Sequence, residues 1–62
     1  MKAYIYRVET HKIIAKIKGD DSQSIEAKFD ELGYDTDLYW LTYGFIDGLV
    51  TDGDFDVIDV RG

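Results

Sequence analysis

One helix, bracketed by its own start and stop signals, divides this chain into two strand-forming stretches. Asp20, Asp21 and Ser22, following Gly19, are all good N-cap residues, and Gln23, three after Asp20, completes the pattern of a capping box. Ile25, Phe29 and Leu32 then fall at i, i+4 and i+7 as one apolar stripe, while Glu26, Lys28, Asp30 and Glu31 fill the remaining faces. Gly33 stands where a left-handed C′ residue belongs, and Tyr34 can close back on Phe29. A stripe of this kind needs a layer to cover it, and the rest of the chain supplies strands.

Ala3-Tyr-Ile-Tyr-Arg-Val-Glu9 is rich in strand formers, and Lys12-Ile-Ile-Ala-Lys-Ile-Lys18 alternates as its hairpin partner. An even-numbered loop, Thr10-His11 or Glu9 to Lys12, pairs Val8 with Ile13, Tyr6 with Ala15 and Tyr4 with Ile17 on one face. The other face then holds Arg7 with Ile14, Ile5 with Lys16, and Ala3 with Lys18. Thr-His suits a type I′ turn poorly, which favours the four-residue loop.

Beyond Tyr34 the pattern supports two readings. Leu38-Tyr-Trp-Leu-Thr-Tyr43 is strand-like in composition, yet Leu38, Leu41, Phe45 and Leu49 also fit one helical face with Asp37 as cap. Gly44 and Gly48 would each weaken that helix by up to ~1 kcal/mol. A strand over 38–45 is the favoured reading, with turns over 47–53 at the Asp47-Gly48 and Asp52-Gly53 pairs and a last strand over 55–60. The expected fold is a single α+β domain over residues 1–62. It is a two-layer ββαββ arrangement, with an antiparallel four-stranded sheet of order 2-1-3-4 and the helix on one face.

Sixty-two residues are few for a self-sufficient core, and the usual staples are missing: there is no Cys, and one His, His11, cannot hold a zinc ion. Self-association into a homodimer is the expected remedy. A hydrophobic fraction of 45% argues against disorder. No apolar run approaches the ~18 residues of a membrane span, and no signal-peptide organisation is present, so a cytoplasmic protein without membrane contact is expected. The charge is split: residues 1–18 carry five cations and Glu9, for +4, whereas residues 19–62 carry two cations and twelve acids, for −10. Such separation speaks to partners rather than to fold.

Little in the chain points to chemistry. His11 lies at the hairpin tip with only Glu9 and Thr10 beside it, the setting of an exposed turn residue. Asp52-Gly-Asp54-Phe-Asp56 matches positions 1, 3 and 5 of a calcium loop, but Val57 stands where the loop glycine belongs and position 12 lies past Gly62. The glycines lack the spacing of a phosphate loop. No enzyme activity, no cofactor and no metal site is expected.

The aromatic residues suggest association instead. With Tyr39, Leu41 and Tyr43 facing the helix, Leu38, Trp40 and Thr42 face outward together with Ile5 and Ile14, an apolar patch large for a small monomer. Ile5, Ile14, Leu38 and Trp40 are the expected centre of an interface, with Arg7 and Lys16 at its rim. Two alternatives stand beside it. Trp40 next to Arg7, Lys16 and Lys18 forms a stacking platform with phosphate contacts for nucleic acid, which the net charge of −6 opposes. Asp20, Asp21, Glu26, Asp30, Glu31, Asp35 and Asp37 form an acidic face suited to a basic protein.

The string Tyr4-Ile-Tyr-Arg-Val-Glu-Thr-His-Lys-Ile-Ile-Ala-Lys-Ile-Lys-Gly-Asp20, with Asp35-Thr-Asp-Leu-Tyr-Trp-Leu-Thr-Tyr43, resembles small uncharacterised proteins of bacterial and prophage genomes. The resemblance implies such an origin and a non-enzymatic accessory role, and it carries no site residues. The expected function is a small protein-interaction module that self-associates through the helix-free sheet face.

Overall fold

The computed structural model describes residues 1–44, 48–50 and 55–61. Phe45, Asp47 and the Asp52-Gly53-Asp54 part of the calcium-like loop lie outside the described residues. The elements are β1 (Lys2–Arg7), β2 (Lys12–Lys18), α1 (Ser22–Leu32), β3 (Tyr39–Thr42) and β4 (Asp56–Asp59). They form an α+β fold in which the helix covers one face of a four-stranded sheet.

The helix is set by its ends. Asp21 is the N-cap: its carboxylate accepts from the Ser24 N–H at 2.8 Å, which lowers the Asp21 pKa. Gly33 takes the left-handed conformation at φ 74°, and its N–H donates to the Asp30 carbonyl. Ile25 and Phe29 are buried, a contribution of roughly 1.5–3 kcal/mol each. Phe29 stacks on Tyr34, their ring centres 6.2 Å apart.

The hairpin departs from the expected register by one residue. Ala3 lies opposite Ile17, Tyr4 opposite Lys16 and Ile5 opposite Ala15, after which the register shifts and Tyr6 meets Ile13. The physical reason is the core. This register places Ala3, Ile5, Ala15 and Ile17 together under Ile25 and Phe29, whereas the expected one set Ile5 beside Lys16. Ile14 is the extra residue at this shift, without a partner in the β1–β2 register, and it packs against the core cluster. The loop has four residues, Val8 to His11, with His11 at φ 60° and its N–H bonded to the Arg7 carbonyl.

Strand order is the second correction. The sheet runs β3-β1-β2-β4, and β4 lies parallel to β2 instead of forming a hairpin with β3. The placement of β1 between two antiparallel neighbours is as expected. Thirteen residues, 43–55, separate β3 from β4, the length a parallel crossover needs and far more than a tight hairpin uses. Docking on β2 brings Ile58 beside Ile17 and Val60 against the core. Gly19 makes that approach possible: a Cβ there would sit 2.8 Å from Ile25 Cγ1 and 3.3 Å from Val60 Cγ2.

The helix-free face is not left bare. Tyr4 and Ile13, which point to that side, are only 5% and 3% exposed. Phe55 stands edge-on to Tyr4 at 6.4 Å, and His11 stacks on Tyr6 at 6.0 Å. The chain therefore covers much of this face with its own aromatic residues.

Candidate functional site

The sheet has two outer strands, and β3 is the one without a charge. Its residues, Tyr39-Trp-Leu-Thr42, are aromatic, aliphatic or β-branched. The Val8 N–H donates to the Leu38 carbonyl at 2.9 Å, and this fixes the phase of the ladder: Trp40 and Thr42 bond to β1, while Leu41 turns its N–H and C=O outward. The Tyr39 carbonyl points the same way, and its N–H is taken by Asp35. Among the described residues, nothing pairs with the outward groups of Leu41. Leu38, Trp40 and Tyr43 are exposed along this strand, Trp40 to 52%.

A groove of about 410 Å³ runs between this edge and α1, lined by Glu26, Phe29, Asp30, Thr36, Trp40, Leu41 and Tyr43. Glu26 and Asp30 lie one helical turn apart and flank Phe29. Neither carboxylate takes part in an ion pair among the described residues; the cation of this helix, Lys28, pairs with Glu31 at 3.5 Å. The Tyr43 hydroxyl donates to the Ser22 carbonyl at 3.4 Å. Desolvation first, and then the neighbouring Glu26 carboxylate, push the Tyr43 phenol above its ordinary pKa. The groove thus joins an apolar floor, an open strand edge and two acids.

A second groove, of about 400 Å³, is lined by Met1, Lys2, Lys16, Lys18 and Arg61. Lys2 and Lys18 are directly opposed across β1 and β2, an unfavourable like-charge pair. Lys16 holds its ammonium 5.8 Å from the Tyr4 ring centre. Part of this charge is answered internally, because Arg61 grips Asp59 through two bonds of 3.0 and 2.6 Å. Hydrogen bonding to Arg61 holds the Asp59 carboxyl well below the usual carboxylate range.

The six expected interface residues do not form one patch. Ile5 is fully buried beneath the helix and Ile14 packs against the same core, so both leave the proposed surface; the register shift is the reason. Arg7 sits at the hairpin end opposite Tyr39 and 3.8 Å from Glu9. Lys16 lies in the basic groove, two strands away from Trp40. Only Leu38 and Trp40 share an exposed region. The residues that complete it, Glu26, Asp30, Thr36 and Tyr43, come from elements whose juxtaposition no local pattern encodes. The i, i+4 spacing of Glu26 and Asp30 around Phe29 was the available signal.

No metal-binding chemistry is assembled here: among the described residues no three His, Cys, Asp or Glu side chains converge. No described helix is long and apolar enough to cross a membrane. No protein-family model matches the chain, and no curated protein or solved structure matches it either.

Proposed function

We propose that the chain is a small, non-enzymatic protein-interaction module whose binding element is β3. The observation that carries this reading is an uncharged edge strand with outward backbone groups, bearing exposed Trp40 and flanked by exposed Leu38 and Tyr43. Edges of that character pair with other chains unless they are blunted. Self-association through the helix-free face, expected from composition, would have only this margin to use, since Tyr4 and Ile13 on that face are already covered. Trp40→Ala tests the reading against Val57→Ala, a similarly exposed residue on the opposite edge strand. Partner binding should change with the first substitution and not the second. If Trp40→Ala leaves partner binding unchanged, the reading is wrong.

The basic groove supports a second reading, contact with a polyanion such as nucleic acid. Lys2, Lys16, Lys18 and Arg61 converge there in a chain of net charge −6. Such binding would weaken steeply with salt and with Lys16→Glu, and an affinity insensitive to both would exclude it.

A further inference from the structure

The groove beside β3 has features that specify its occupant more closely, provided β3 is the binding element. We propose that it receives an extended segment of a partner protein bearing lysine or arginine at alternate positions, which adds to the sheet as a fifth strand next to β3. An added strand finds the Leu41 N–H and C=O and the Tyr39 C=O facing it. Side chains of an extended segment alternate between the two sheet faces. Those directed to the helix side meet Glu26 and Asp30, two carboxylates with no ion-pair partner among the described residues. Those directed to the other side meet Trp40, which favours apolar or aromatic residues at the intervening positions.

Charge also decides against the simplest alternative occupant, a second copy. Two β3 strands paired antiparallel are related by a two-fold axis perpendicular to the sheet, so both helices lie on the same face. Glu26 and Asp30 of each copy would then approach those of the other across the junction, and each chain already carries −6. A basic segment relieves the repulsion that a second copy would create.

The test is a titration of the isotopically labelled full chain with a synthetic peptide of about ten residues alternating valine with lysine. Its counterparts carry serine or glutamate in place of lysine, or N-methyl groups at alternate positions to block strand pairing. The lysine peptide should shift the amides of Tyr39 to Tyr43 and the Trp40 fluorescence. The N-methylated and glutamate peptides should not. Glu26→Gln with Asp30→Asn should weaken the lysine peptide about tenfold, with the spectrum otherwise preserved. Serine or glutamate peptides that bind β3 equally well would overturn the charge assignment and leave β3 as the binding element. A concentration-dependent dimer of the chain alone that protects the β3 amides would give the edge to a second copy and overturn the proposal in the same way. No shift at β3 with lysine peptide up to about 1 mM would overturn strand addition itself.

Discussion

β3 and β4 close the same sheet at opposite edges, have four residues each and run parallel to one another, yet they are finished differently. Acids bracket β4 at Asp56 and Asp59, and Arg61 clamps the second of them. Charge at a strand edge penalises pairing with a further strand, one of the ways proteins keep edges from associating. β3 carries no charge, and its acids, Glu26 and Asp30, stand back on the helix beside the groove. Val57 and Trp40 are nearly matched in exposure, at 57% and 52%. Exposure alone therefore does not separate the edges; charge placement does. Among the described residues, one edge of this small sheet is charged and the other is not.

The packing between β2 and β4 carries the largest expected effect. Ile17→Ala removes a fully buried side chain that lies opposite Ile58 of β4 and should cost about 2–5 kcal/mol in urea unfolding. If the loss is under about 1 kcal/mol, the β2–β4 packing described above is incorrect. Gly19→Ala is the next in size, since the added methyl must displace Ile25 and Val60 side chains, and about 1–3 kcal/mol is expected from thermal melts. Amide exchange should accelerate in β4 and not in β3; equal acceleration would show that the edges are not separately anchored.

Trp40→Ala should change folding stability by about 1 kcal/mol or less, because the ring is half exposed, while lowering partner affinity about tenfold or more. A large stability loss would make Trp40 a core residue and remove the functional contrast between the edges. The smallest effect concerns the clamp. The folded-state pKa of Asp59 is depressed, so its contribution is present above the unfolded carboxyl pKa of about 3.9 and is lost as pH falls through the lower folded value. Arg61→Gln should return the Asp59 titration, followed by carboxyl NMR, to the ordinary carboxylate range. An unchanged midpoint would mean that Arg61 is not what holds it down.

Local signals mark some elements of this chain and not others. The helix was legible because its signals are local: Asp21 at one end, Gly33 at the other, and Ile25 and Phe29 between them. The hairpin was legible as an element, but its register was not. Both faces of β1 carry apolar residues, Ala3 and Ile5 on one and Tyr4 and Tyr6 on the other, because both faces are covered. Period-two patterning then no longer discriminates, and the bulge at Ile14 has no marker of its own. The placement of β4 depends on packing distant in sequence, Val60 against the core beside Gly19, which the local Asp-Gly turn signals do not encode. Of the site, exposed Leu38 and Trp40 were visible in composition, whereas the groove exists only once α1 and β3 lie side by side.

We propose that β3, and not β4, is the edge at which another chain docks. Its most direct test places one photocrosslinking side chain at position 40 and, separately, at position 57, then compares yields with the same partner preparation. Crosslinks are expected from position 40 that disappear when the lysine-bearing peptide competes, with background yield from position 57. Equal yields from both positions, or a preference for 57, would contradict it.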